Sequence, residues 1–356
     1  MQSCQAGPRA RLSFLPVPDM LVRFVPLIAL ASLAAACADP AGSGPGPLGA
    51  GAMPRVAIGA GGPGGTYERI GSAICDAVTA TPASLPCQLV ASEGSVENLR
   101  ALQQGSVGFA LTQADTALAA ELGVGPFKDK GPDRGLRSVL ALGIEPLAVV
   151  VRADSDIAGF AGLKGKRIDP GAEGSGTELT MRGLMLSHGW TIGRDVRTVA
   201  VPAGAYADAL CSGRVDAVAF IGPQPNPAVE AAASACPVRL LSVAGPVIKA
   251  VTVGYPTIDR ETIPAGTYGW LDAPVETVGL QMLLATTEGQ DDASVRAVVE
   301  GVRGDLARFR RAHASLRRVT PKSMLVENDV LRLHPAAAEA GTAAGVVTRD
   351  ELFLPK

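Results

Sequence analysis

One local pattern occurs twice in this sequence and constrains the fold more than any other: a short apolar strand, a glycine-rich loop, then a helix. The first copy runs from Arg55-Val56-Ala57-Ile58-Gly59 through Ala60-Gly61-Gly62-Pro63-Gly64-Gly65 into a helix expected from Thr66 to Thr79. The second runs from Lys166-Arg167-Ile168 through Gly171-Ala172-Glu173-Gly174-Ser175-Gly176 into a helix expected from Thr177 to about His188. The sequel repeats too. A strand at 87–91, a helix at 96–104 and a strand at 107–111 follow the first copy. A strand at 196–201, a helix at 205–211 and a strand at 215–221 follow the second. In both, an Ala-Leu-x-x-Gly-x-Val run closes a helix and opens a strand, at Ala101–Val107 and at Ala209–Val215. The glycine suits the left-handed position that ends a helix. Strands alternating with helices imply a largely parallel sheet with both faces covered.

Two copies of the plan imply two α/β lobes. The apolar stretches Leu136–Val151 and Val275–Thr287 read as two crossings between them. The charged amphipathic segment Asp292–His313 reads as one helix packing back onto the first lobe. The lobes are then residues 54–147 with 281–356, and residues 148–280, around a hinge and a cleft. A hydrophobic content of 47% and a charged content of 19% supply a sizeable core. A net charge of −2 offers no basic field for nucleic acid.

The two glycine loops carry the chemistry. Glycines at Gly64, Gly65, Gly174 and Gly176 let backbone approach a ligand closely. The first turn of a helix leaves N–H groups unpaired, and the helix dipole adds partial positive charge there. An anion can bind such an end without a cationic side chain, and Thr66, Ser175 and Thr177 add hydroxyls at the same places. Structurally, the same residues can simply turn and cap, and Ser175-Gly176-Thr177-Glu178 fits a capping box. A second polar cluster, Ser92-Glu93-Gly94-Ser95-Val96-Glu97-Asn98, stands at a strand end, where open α/β sheets place ligands. Gln113-Ala114-Asp115 ends the next strand on the same edge. Pro223-Gln224-Pro225-Asn226-Pro227 is the matching edge of the second lobe.

The N-terminus indicates where the chain works. Arg23 precedes an apolar run from Phe24 that ends in Ala34-Ala35-Ala36-Cys37. The run is about a dozen residues, short of the ~20 that span a bilayer, and has the form of a secretory signal. Cys37 after small residues resembles a bacterial lipobox, which makes it the expected lipidation site and Met20 a possible true start. Residues 38–53 are Gly, Pro, Ala and Ser with little else, the composition of a flexible tether. Four further cysteines, Cys75, Cys87, Cys211 and Cys236, allow three pairings. Proximity favours Cys75–Cys87 and Cys211–Cys236, and four free thiols are the alternative.

Other chemistries fit less well. Gly59-x-Gly61-x-x-Gly64 matches a dinucleotide fingerprint, and Glu93 ends the following strand. The spacing is nearer thirty residues than the ~20 expected, and Pro63 lacks an N–H in the loop that would cradle pyrophosphate. There is no Gly-x-Ser-x-Gly elbow, and His188, His313 and His334 have no ligand-like partner nearby, so neither a hydrolase nor a zinc site is expected. His334-Pro335 reads as a loop or surface feature. No cofactor is expected, and the chain reads as a binding protein rather than an enzyme.

The ordered landmarks resemble the TAXI family of TRAP-transporter solute receptors. They are Gly61-Gly62-Pro63-Gly64-Gly65-Thr66-Tyr67, Gly94-Ser95-Val96-Glu97-Asn98, Gln113-Ala114-Asp115, Glu145-Pro146-Leu147, Leu163-Lys164-Gly165-Lys166-Arg167, Gly174-Ser175-Gly176-Thr177-Glu178, Pro225-Asn226-Pro227-Ala228 and His334-Pro335-Ala336. The resemblance implies a two-lobed, type II-like periplasmic-binding-protein fold. It implies capture of a small carboxylate-bearing solute, an organic acid or an amino acid such as glutamate, and delivery to an ion-driven membrane permease. Ligand contacts implied at matching positions are Gly65, Thr66, Tyr67, Ser95, Asn98, Gln113, Ser175 and Thr177. Ala114 and Ala117-Leu118-Ala119 depart from the family pattern and leave the solute undetermined. A monomer, lipid-anchored in the periplasm, is the expected form. A sensor for a membrane signalling partner, or an enzyme on the same fold, is the alternative.

Overall fold

The computed structural model describes residues 56–326, 330–348 and Glu351. Met20, the apolar run, Cys37 and the tether lie outside the described residues.

The first lobe opens with β1 (Val56–Gly59), α1 (Thr66–Thr79), β2 (Cys87–Val90), α2 (Ser95–Gln103), β3 (Phe109–Gln113) and α3 (Ala114–Leu122). The 17-residue β4 (Leu136–Arg152) then leads into the second lobe: β5 (Arg167–Asp169), α4 (Gly176–Ser187), β6 (Arg197–Thr198), α5 (Tyr206–Cys211), β7 (Ala217–Ile221), α6 (Pro227–Ala235), β8 (Val238–Leu240), α7 (Pro246–Gly254) and β9 (Ile258–Ile263). β10 (Val275–Thr287) returns to the first lobe, which α8 (Asp292–Gly304), α9 (Leu306–Ala312), α10 (Pro321–Val326) and α11 (Pro335–Ala343) complete.

The lobes share one topology. The first sheet runs β2-β1-β3-β10-β4, with β1, β2 and β3 parallel and β10 antiparallel to β3 and to β4. The second runs β6-β5-β7-β4-β8, with β5, β6 and β7 parallel and β4 antiparallel to β7 and to β8. β4 pairs with β10 from Leu136 to Pro146 and with β7 from Leu147 to Val151. β10 pairs with β9 over its first residues and with β3 over its last. Each long strand thus serves both lobes, and the hinge is a pair of hydrogen-bonded strands.

Strand periodicity explains the layers. On β3, Phe109 and Leu111 pack with α1, α8 and α11, whereas Ala110 packs with α2 and α3. On β4, Leu147, Val149 and Val151 meet α4 and α7, whereas Ala148 and Val150 meet α5 and α6. Both sheets are covered on both faces, the condition a parallel sheet requires. Two disulfides, Cys75–Cys87 and Cys211–Cys236, tie α1 to β2 and α5 to the end of α6. Among the described residues no helix is long and apolar enough to cross a membrane.

Three local expectations are corrected. The segment from Asp292 is two helices, because Asp305 leaves helical geometry (φ −131°, ψ 61°) and its side chain accepts from Arg308 N, starting α9. The strand expected at 196–201 shrinks to Arg197–Thr198, held by β5 alone. His334 is buried rather than superficial: it caps α11, its Nδ1 accepting from Ala336 N at 3.2 Å while its own N–H donates to Ser138 O at 2.8 Å.

Candidate functional site

The second glycine loop meets the Ser92–Asn98 segment of the first lobe at the seam between the lobes. A methyl group at Gly94 would lie 3.7 Å from Ser175 Cα, and Glu97 N–H donates to Gly174 O at 3.4 Å. Gly176, first residue of α4, sits against Gln113 and Ser95 so closely that a methyl group there would come within 2.0 Å of Gln113 Oε1. Gly222, after β7, faces Thr66 Oγ1 and the Asn226 side chain. Thr180 donates to Asp115 Oδ2 at 2.5 Å, a side-chain bond from α4 to α3 across the seam.

The helix ends differ in how they are capped. Ser175 Oγ accepts from Glu178 N at 3.1 Å, and Glu178 Oε2 accepts from Gly174 N at 3.0 Å, so α4 carries a reciprocal cap. Thr177 Oγ1 accepts from Ile221 N at 3.2 Å, tying α4 to β7. Both hydroxyls are therefore engaged within their own lobe. At α1, by contrast, Gly65 supplies no side-chain cap, and Glu68 Oε2 takes only the Gly64 N–H of the loop. The first-turn N–H groups at Thr66 and Tyr67 form the open, partly positive end. Gly64 takes φ +77°, a left-handed turn that glycine tolerates.

Two residues expected to touch a ligand are engaged inside the first lobe. Asn98 is buried; its Nδ2 donates to Ala60 O and Leu111 O at 2.7 and 2.8 Å, and its Oδ1 bonds Ser92 Oγ at 2.6 Å. Ser92 also lies 2.6 Å from Ala60 O and accepts from Gly94 N. With their capacity filled, both shape the loop. Asn226 caps α6 by accepting from Ala228 N at 2.9 Å. Asp115, read as a strand end, stands in the first turn of α3, where Thr116 N and Thr180 hydrogen-bond it.

Around the expected Tyr67, Ser95, Gln113 and Asp115, the seam gathers two carboxylates that the sequence reading had not assigned to the site, Glu145 and Asp169. Tyr67 Oη lies 3.3 Å from both Ser95 Oγ and Glu145 Oε2, and Ser95 Oγ accepts from Gln113 N at 3.1 Å. Glu145, on β4, is buried, and burial pushes its carboxyl up to about 8; hydrogen bonds from Tyr67 and Gln113 oppose the rise, and the Asp115 charge adds to it. Burial also raises Asp115 to about 6, against its bonds from Thr180 and Thr116. Across the seam, burial raises Asp169 to about 6, partly offset by the Gly171 N–H. Burial likewise raises Tyr67, assisted by the Glu145 charge. A lone carboxylate inside a long apolar stretch was the available signal for Glu145, since such a group is rarely buried without a task.

Comparisons with known proteins agree with this architecture. A family model described as the NMT1-like family matches residues 58–340. A solved protein of Bordetella bronchiseptica RB50 superposes with a TM-score of 0.50 at 16% identity, over 82% of this chain and 98% of that one. The periplasmic binding protein BugD gives 0.48 at 15% identity, over 83% and 99%. The periplasmic aliphatic sulphonate binding protein SsuA of Escherichia coli gives 0.44 at 17%, over 85% and 94%. At 16% identity the likeness to the Bordetella protein speaks to fold alone. The repeated strand order and the two shared long strands are those of a type II periplasmic-binding-protein fold.

Proposed function

The chain belongs to the NMT1-like family, and on that premise we propose that it is an extracytoplasmic solute receptor, gripping a small carboxylate-bearing molecule between its lobes and delivering it to a membrane permease of the TRAP type. One observation carries this reading: the N-terminus of α1, without a side-chain cap, lies where the second lobe's Gly222 comes up to Thr66 Oγ1. Backbone donors at a helix start hold a carboxylate without a buried cation. Contacts from the second lobe exist only when the lobes meet, so a solute shifts the population toward closure by its differential contacts. The closed shape is what a permease would recognise. Lipid attachment at Cys37 would keep the receptor beside that permease, with the stretch 38–53 as its tether.

The ligand surface is assigned first to Gly64, Gly65, Thr66 and Tyr67, with Ser95, Gln113, Gly174, Ser175, Gly176, Thr177 and Asn226 closing around it. Native mass spectrometry of the purified protein should reveal a co-purified acid, and calorimetry then measures its affinity. Thr66→Ala should weaken binding by about 1.5–3 kcal/mol if its hydroxyl meets the charge. Ser175→Ala should weaken it less, through loss of a cap worth about 1 kcal/mol. Unchanged affinity in both variants would remove the helix-end assignment.

A further inference from the structure

The hinge strand β4 shows different chemistry on its two faces. Glu145 reaches Tyr67 in the seam. Its neighbours Ile144 and Pro146 alternate to the other face, where they line a groove of about 530 Å³. That volume falls within the ~300–1,000 Å³ of small-molecule sites. One wall comes from the first lobe, through Ser315, Arg317 and Arg318, and the other from the second, through Thr262, Pro264 and Thr267. Gly143 of β4, at φ +124°, lets the first wall come in close: a methyl group there would lie 2.7 Å from Ser315 O. The groove thus lies on the hinge itself, is built by both lobes, and shares no residue with the solute surface assigned above.

The first wall is strongly basic. Residues 306–323 contain Arg308, Arg310, Arg311, Arg317, Arg318 and Lys322 and no acid, in a chain of net charge −2. Arg308 pairs with Asp76, Lys322 pairs with Glu351, and Arg310 donates to Val319 O. Arg317 and Arg318 are exposed, and neither guanidinium has a hydrogen-bond or ion-pair partner among the described residues. Their charge is felt locally: besides burial, Arg69 and Arg317 hold the His313 imidazole below its ordinary value. Glu261 stands on the second wall, where its Oε1 accepts from Thr262 N. The Gln281 amide and the Thr262 hydroxyl, which also line the groove, are uncommitted among the described residues.

We propose that this groove is a second binding site, for a small soluble polyanion built of phosphate or carboxylate groups, held by Arg317 and Arg318 and reaching Gln281 and Thr262. Guanidinium forks match the oxygen pairs of both groups, and charge-assisted bonds of this kind are the strong ones. An occupant that touches both walls clamps the lobes in the arrangement seen here. That arrangement brings the solute surfaces together, so polyanion and solute favour one another reciprocally. This coupling rests on the receptor reading above; the groove and its charge do not.

Calorimetry on the intact chain with pyrophosphate and, separately, with citrate tests the site and distinguishes the phosphate from the carboxylate form. At least one should bind saturably, and more weakly as sodium chloride is raised. Arg317→Ala and Arg318→Ala should each weaken that binding about tenfold or more, and the double variant should abolish it. Both side chains are exposed, so the variants should melt as the parent does. Amide exchange should slow on both walls, at 314–319 and at 262–267. Slowing confined to 314–319 would overturn the clamp. Binding that survives the double variant, or that is lost in Thr66→Ala instead, would put the anion elsewhere and overturn the site. No saturable binding of either probe would overturn it too, and all of these results leave the receptor reading standing, because that reading is judged by the co-purified solute at the seam.

Discussion

Glu145 shows how one side chain couples the interior to solution conditions. Its folded value of about 8 lies above the ordinary 4.5, so between these values the folded chain holds a proton that the unfolded chain has released. Its contribution to stability is therefore full below about pH 4.5 and is lost as pH rises through about 8. Glu145→Gln keeps the shape and removes the titration. The stability gap between variant and parent, read from urea midpoints at pH 5, 7 and 9, should move steadily in the variant's favour; a constant gap would contradict the burial argument. Gly176 offers a second test at this scale. Adding one methyl by Gly176→Ala places a carbon against Gln113 Oε1 across the seam, not within α4. Solute affinity should fall at least about tenfold with the melting temperature nearly unchanged, which calorimetry and thermal unfolding separate. At residue scale the sequence was only partly legible. The glycine loops and Thr66 announced themselves by composition. The engagement of Asn98 and Ser92 by Ala60 and Leu111 did not, because those partners are backbone atoms brought together only by β1, β3 and α2.

Elements were legible where local signals agreed. α1 begins and ends where the glycines and its apolar spacing predict, and its Ile70, Ile74 and Val78 form one buried stripe. The break between α8 and α9 was hidden because the apolar spacing continues across it to Phe309. β6 was overestimated because an apolar run does not say how many partners a strand will find. α1 and α8 approach closely through Gly301, where a methyl group would lie 2.6 Å from Ala77 O. Gly301→Ala should destabilise the first lobe by about 1–3 kcal/mol, the usual cost of overpacking, measurable by urea unfolding. The disulfides act on the same elements by closing loops of 12 and 25 residues. In the chain-entropy model each contributes about 3 kcal/mol, so replacing Cys75 and Cys87 together by Ser should lower stability by roughly that amount.

For the whole molecule, the internal duplication visible in the sequence corresponds to the duplicated strand order, which is why the two-lobed plan was readable. Lobe contact at one seam was not, since it depends on which loops face each other. If solute holds the seam shut, amide hydrogen exchange at 94–98 and 174–180 should slow on binding while the outer helices stay unchanged. Uniform slowing across both lobes would argue for general stabilisation instead. The exchange of long strands has a consequence for biosynthesis. β10 sits between β3 and β4 in the first sheet, yet it follows every strand of the second lobe in the chain. A polypeptide that emerges N-terminus first therefore presents a first lobe lacking an interior strand until residues 275–287 arrive. The earliest-made half must be the last to consolidate, and a chain halted before residue 275 would expose the gap to whatever chaperone waits there.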